Sequence, residues 1–384
     1  MLKFYQKWVL YFLIVFLGGA CKSKQNVQHT ETILKVIQPK YAKGFRIEVF
    51  KNYKILSVLQ PYTDKRDTLR FVLAKNKKLI PSQLQKIPFI KTPIQKIICT
   101  STTHLALLEA LGGLDALVGA SSLEYVYSSA IRKKVEKGQI VSLSDQQIEV
   151  EKIIALQPDL LMVSGMEASQ MSVYKKIEET DIAVFINSEW LENHPLGKAE
   201  WIKVMAVLLD KEQEAEAFFE NISSKYLAIK AETEKIKNKK SVAIGVPNKE
   251  TWYVSAGESF GATFLKDAGA FYAFADEKGT GSLPLNKEIV LQKFKNADVW
   301  LNVDVNSFEV KKVLCDLKFV NAVKNQKIYD RNKRIAVKGG NDFWESGVVH
   351  PEIILEDLVK ILYPKLLPES EKLYFYQKLE QICE

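Results

Sequence analysis

From about residue 210 to 237 the chain runs without a glycine or a proline. Within that stretch Ala215, Phe218, Phe219, Ile222, Tyr226 and Ile229 follow at spacings of three, one, three, four and three, a single apolar stripe on an α-helix. At 1.5 Å per residue a helix of ~27 residues is ~40 Å long, enough to reach from one folded body to another. Upstream, apolar runs at 97–100, 116–119, 160–163 and 182–186 read as short strands with helix-like stretches between them. Ser101-Thr102-Thr103 caps a helix that ends on Gly112-Gly113, and a helix over 150–156 is stopped by Pro158. Downstream, strands at 242–245 and 299–303 are separated by helices at 260–268 and 286–294, and a last helix opens at His350-Pro351-Glu352 and runs to Leu362. Strands divided by helices make parallel sheets. The predicted order is therefore α/β lobe, long helix, α/β lobe.

The 384 residues suit two domains rather than one. The 54 Lys and Arg exceed the 46 Asp and Glu, for a net charge of +8, but no run of five like charges forms. Spread in this way, the excess describes a solvated surface and not a nucleic-acid partner.

Lys3 and Lys7 precede an apolar run over 8–17, then Gly18, Gly19, Ala20 and Cys21. This is the pattern of a secretory signal peptide over 1–20, too short to cross a membrane as a mature helix. Cys21 after small residues resembles a bacterial lipobox, although Leu17 stands four places before it instead of three. The expectation is an acylated Cys21 and a polar tether over 22–32. Cys99, in an apolar run, reads as a buried thiol, and a bridge between Cys315 and Cys383 stays open.

Glu151 leads one short apolar helix into a strand, and Glu288 does the same in the second half. A first-turn Glu favours the helix dipole; it is also the charge a partner's arginine would pair with. Trp252-Tyr253, Phe343-Trp344, Tyr125 and Tyr127 follow strands or lie in loops, where flat rings line a ligand or cover a core edge. Ser101, Thr102 and Thr103 stand at a strand-to-helix turn of the kind that faces ligands in open α/β sheets. His29, His104, His194 and His350 show no metal-ligand spacing. Residues 257–261 have the bare letters of a nucleophile elbow without a buried strand running into them, and no enzyme motif is found.

Four stretches carry a resemblance: Lys96 to Ser121; Val150-Glu151-Lys152-Ile153-Ile154 through Pro158-Asp159-Leu160-Leu161; His194-Pro195-Leu196-Gly197-Lys198-Ala199-Glu200-Trp201; and Asn341-Asp342-Phe343-Trp344-Glu345-Ser346-Gly347. In this order they resemble the periplasmic binding proteins of ATP-binding-cassette importers for cobalamin, ferric siderophores and haem. The resemblance implies an α/β fold of two Rossmann-like lobes joined by a single long helix, with an N-terminal β-rich extension. The organisation expected from the residues and the resemblance together is a signal peptide over 1–20, anchor and tether over 21–40, extension over 41–92, lobes over 93–209 and 239–367, inter-lobe helix over 210–238, and a tail helix over 368–384. The resemblance implies Glu151 and Glu288 as docking charges for the importer's membrane-spanning subunits. Ser101, Thr102, Thr103, Trp252, Tyr253, Phe343, Trp344 and Glu345 then line the cleft for a corrinoid, ferric siderophore or haem. The expectation is a monomer with no cofactor, lipid-anchored in the periplasm. A zinc or manganese receptor of the same fold, or a non-transport sensor lipoprotein, are the alternatives.

Overall fold

The N-terminal β-rich extension builds a sheet of its own. β1 (Lys35–Ile37), β2 (Phe45–Val49), β3 (Lys54–Leu59), β4 (Thr68–Ala74) and β5 (Phe89–Lys91) lie side by side in that order, antiparallel except for the β4–β5 pair. The computed structural model describes residues 32–64, 66–145, 147–165, 167–303, 308–367 and 372–380. The leader, Cys21, nearly all of the tether and Cys383 lie outside them. The chain divides after Ile33, and everything from Leu34 onward is one unit. One face of the extension sheet, with Phe45, Ile47, Leu56, Val58 and Phe71, joins the main core; the other, with Tyr53, Ile55 and Val72, makes a small cluster around Ile80. β3 is buried on both faces, which erases the alternation that would have announced it.

Between β1 and β2 the chain is strapped to the first lobe by two buried carboxylates. Glu200 accepts the N–H groups of Lys40, Tyr41 and Ala42 at 2.9, 2.7 and 3.0 Å. Glu192 accepts those of Lys43 and Gly44 at 2.9 and 2.7 Å, and the Trp201 indole N–H at 3.0 Å.

In the first lobe β6 (Ile97–Cys99), β7 (Leu117–Ser121), β8 (Val141–Leu143), β9 (Leu160–Ser164) and β10 (Ala183–Asn187) form a parallel sheet in the order β10-β9-β6-β7-β8. Chain order reverses about β6, which opens a crevice beyond the carboxyl ends of the strands. α1 (Thr102–Ala110), α2 (Ser129–Glu136), α3 (Val150–Leu156) and α4 (Lys175–Glu178) belong to this lobe. α5 (Pro195–Glu200) and α6 (Ile202–Leu209) lead to the connecting helix α7 (Glu212–Thr233).

α7 is shorter than the sequence suggests, because Asp210 takes a left-handed conformation, φ 60°, and ends α6 there. Its 22 residues span about 33 Å. Ala215, Phe219, Ile222 and Tyr226 are buried along one stripe. Its far end is fixed to Asp267: the Tyr226 hydroxyl donates to the carboxylate at 2.8 Å, Lys230 pairs with it at 2.9 Å, and the Thr233 hydroxyl donates to the backbone carbonyl at 2.7 Å.

The second lobe contains β11 (Ser241–Ile244), β12 (Pro247–Asn248), β13 (Thr251–Ser255), β14 (Phe271–Tyr272), β15 (Ser282–Asn286), β16 (Val299–Leu301), β17 (Ile328–Asp330) and β18 (Gln377–Lys378). The main sheet runs β14-β11-β16-β17-β18 and is parallel except for β18; β12, β13 and β15 make a small antiparallel sheet. Its helices are α8 (Phe260–Asp267), α9 (Lys287–Phe294), α10 (Phe308–Asp316), α11 (Asn321–Lys324) and α12 (Pro351–Leu362). The predicted tail helix is corrected here: in the described part, β18 pairs with β17. Asp357 of α12 accepts the N–H groups of Tyr374, Phe375 and Tyr376 at 2.8, 2.6 and 3.1 Å. Successive buried aromatic residues suit an extended chain laid on a core better than a one-sided helix. Cys99 is free and buried, which pushes its thiol up, and Cys315 is disulfide-bonded.

Candidate functional site

The carboxyl ends of the first-lobe strands gather a polar cluster. Ser101, just beyond β6, caps α1 by accepting from the Thr103 N–H at 3.3 Å. The Thr103 hydroxyl donates to Glu189 Oε1 at 2.5 Å. Thr102 is half-buried beside them. Glu189 follows the end of β10, is 1% exposed, and leaves Oε2 without a hydrogen bond. Burial pushes its carboxyl above the usual range, while the Thr103 bond and the Lys198 charge oppose the shift. Lys198 of α5 is lowered by burial, against the pull of Glu189 and Glu192. Its ammonium lies 4.4 Å from the ring centroid of Phe260, in the other lobe. Trp190 exposes part of its ring and donates its indole N–H to the Gly165 carbonyl at 2.7 Å. Glu189, Trp190 and Lys198 were not singled out from the sequence. The signal available was position: Glu189 stands two residues beyond the end of a parallel strand.

His104 is fully buried under this cluster, with Nε2 3.5 Å from the Ser164 hydroxyl. Burial lowers its pKa to about 3, which keeps the ring neutral. Among the described residues no three His, Cys, Asp or Glu side chains are grouped to hold a metal ion. His194 caps α5, accepting from the Leu196 N–H at 3.1 Å, and Ser259 caps α8, accepting from the Ala262 N–H at 3.2 Å.

In the second lobe the aromatic pairs split. Trp252 on β13 is fully enclosed: its N–H donates to the Ile244 carbonyl at 3.0 Å, and its ring stacks on Trp300. Tyr253, on the opposite side of the pleat, is 57% exposed. Phe343 is packed among Phe375 and Tyr376, whereas Trp344 is 41% exposed. The Arg331 guanidinium lies 4.7 Å from the Trp344 ring, and Phe260 is 6.4 Å from it. The surface of each pair is therefore carried by its second member.

Glu345 is buried and ties the lobes together. It accepts the N–H groups of Tyr127 and Ser128 at 2.7 and 2.8 Å. Burial raises its pKa to about 7, with Asp342 and Glu109 adding to the rise and the two backbone donors opposing it. Next to it Gly340 abuts Tyr125: a Cβ there would lie 1.6 Å from the Tyr125 carbonyl oxygen.

Glu151 and Glu288 occupy the same position, the second residue of α3 and of α9. Each helix runs back to a strand of its lobe's sheet, so each Glu stands at the end where the strands finish. Both are exposed, and neither side chain has a partner among the described residues. Exposed isoleucines, Ile154 and Ile289, accompany them. A pocket of about 220 Å³ lies elsewhere, between β1 and α6–α7, where Lys203 is paired with Glu200 and Glu216.

Residues 97–334 match the family described as periplasmic binding protein. An uncharacterized lipoprotein of Methanocaldococcus jannaschii is 28% identical over 303 residues, 75% of this chain and 70% of its own. An uncharacterized ABC transporter substrate-binding lipoprotein of Bacillus subtilis is 25% identical over 284 residues, 73% of this chain and 83% of its own. The crystal structure of a periplasmic haem-binding protein of Pseudomonas aeruginosa superposes with a TM-score of 0.54 at 19% identity, covering 73% of this chain and 96% of that one.

Proposed function

The chain belongs to the periplasmic binding protein family, and from that premise we propose that it captures a corrinoid or an iron complex and hands it to an ATP-binding-cassette importer. It is a carrier and not an enzyme. An acylated Cys21 holds it on a membrane, facing the periplasm, and it works as a monomer. The observation that carries the reading is the pair Glu151 and Glu288, equivalent, exposed and unpartnered at the strand-end face of each lobe. A carboxylate left unpaired in this way, twice, is suited to a partner's guanidinium groups. Tyr253 and Trp344 are the exposed rings for a flat ligand, and Trp252 and Phe343 are the buried supports behind them. The Bacillus subtilis relative named as a transporter substrate-binding lipoprotein and the Pseudomonas aeruginosa haem-binding protein add support.

The experiment reverses the two charges together, Glu151→Lys with Glu288→Lys. Like charges set against an importer's basic residues cost several kcal/mol, while a cleft ligand feels little change. Ligand affinity, measured by fluorescence titration with cyanocobalamin, haemin and a ferric hydroxamate, stays as in the wild type. Growth on the limiting ligand is lost. Uptake that survives in a folded double variant removes the docking role.

A further inference from the structure

The connection between β10 and α6, residues 188–200, carries Glu189, Trp190 and Lys198, and its place is set from outside the lobe. At its start the Ser188 hydroxyl donates to the Pro61 carbonyl at 3.0 Å. The same carbonyl presses on Gly165, where a Cβ would lie 2.2 Å from it, and Asp64 accepts the Ala168 N–H at 2.9 Å. The β3–β4 turn thus lies across the carboxyl ends of β9 and β10. At the other end Glu192 and Glu200 grip the backbone of residues 40–44. The family match begins at residue 97, so every one of these braces comes from chain that precedes it.

The braced segment also holds two polar groups without partners. Glu189 is almost completely buried, and its Oε2 makes no hydrogen bond. Among the described residues the Lys198 ammonium meets no carboxylate or carbonyl and lies only under the Phe260 ring of the opposite lobe. An unbonded buried oxygen is costly and calls for an explanation; a bound group that completes it is one.

We infer that the N-terminal extension is part of the ligand site: it holds residues 188–200 as a wall of the cleft, on which Glu189 and Lys198 take a ligand group that donates to the carboxylate and accepts from the ammonium. This rests on the reading that the cleft captures a ligand. A primary amide carries both functions on one carbon, while a bare carboxylate only accepts. The fit is therefore to an amide-edged ligand, such as a corrinoid with its acetamide arms, over one edged by propionates.

The test uses the full chain in detergent, with cyanocobalamin, haemin and ferrioxamine as probes. The wild type is expected to bind cyanocobalamin most tightly. Glu189→Leu and Lys198→Met should each weaken that binding at least tenfold in variants that circular dichroism shows to be folded. Glu192→Ala, which touches no ligand, should raise amide hydrogen exchange across 188–191 and weaken binding as well. If Glu189→Leu and Lys198→Met bind like the wild type while Trp344→Ala does not, the wall is not in the site and the carrier reading stands. If the wild type binds none of the three probes, the carrier reading falls and takes the amide assignment with it. Unchanged exchange in Glu192→Ala overturns the brace independently of any ligand.

Discussion

Two joints of the molecule, one between the N-terminal extension and the first lobe and one between the two lobes, are made by carboxylates that accept backbone N–H groups from a distant part of the chain, but their surroundings are opposite. At the extension end Glu200 receives three N–H groups and the Lys203 ammonium at 3.1 Å, and Glu192 receives two N–H groups and an indole. At the other end Glu345 receives two N–H groups, has Asp342 and Glu109 as like charges, and has no cation paired with it among the described residues. One device is thus built twice, once saturated with donors and once left short of them. The first is a fixed joint. The second holds a proton at near-neutral pH and is adjustable.

The largest expected effect is at the fixed joint. Glu200→Ala leaves the N–H groups of Lys40, Tyr41 and buried Ala42 without their acceptor and strips Lys203 of a partner, and breaking a buried pair of this kind costs about 3–5 kcal/mol. The urea midpoint measures it, and a loss below about 1 kcal/mol would erase the distinction between the two ends.

The adjustable end is read through pH. The Glu345 pKa is raised from 4.5 to about 7, so between those values the folded state binds a proton that the unfolded chain has released. Stability contributed by that proton is fully present below the unfolded pKa and is lost as pH rises through the window. The loss is on the order of 3 kcal/mol at most. Glu345→Gln cannot titrate, so from pH 5 to 7.5 the stability difference should move steadily in the variant's favour. A difference that stays constant with pH would make Glu345 as fixed as Glu200.

The smallest effects compare the two close approaches. Gly340→Ala and Gly165→Ala both drive a methyl into a carbonyl oxygen, and strain of this sort costs roughly 1–3 kcal/mol. The clash at Gly340 is the tighter, 1.6 Å against 2.2 Å. If the extension end is the stiffer, Gly165→Ala lowers Tm at least as much despite its milder clash.

How far the sequence reached depends on the range of each interaction. The helix over 150–156 is found where the spacing and Pro158 put it, because both signals are local. β3 was hidden because a strand buried on both faces shows no period. Trp252 and Tyr253 were legible as an aromatic pair, but which ring faces inward depends on Trp300, far along the chain. Glu192 and Glu200 gave no hint at all: Lys40 and Glu200 are 160 residues apart. The one overlooked local clue was Glu189, an acidic residue placed where a parallel strand ends.

β18 has a consequence for the order in which the molecule is finished. The first lobe has its sheet, its extension and its carboxylate straps once α6 has been made. The second lobe is different: until Tyr374, Phe375 and Tyr376 emerge, β17 is an open edge and Asp357 lacks three donors. A chain that leaves the ribosome N-terminus first therefore completes one half early and keeps the other ajar until residues 374–378 are made. Clipping before residue 374 leaves a sound first lobe joined to an unfinished second one, with the exposed strand edge that proteases and aggregation act on.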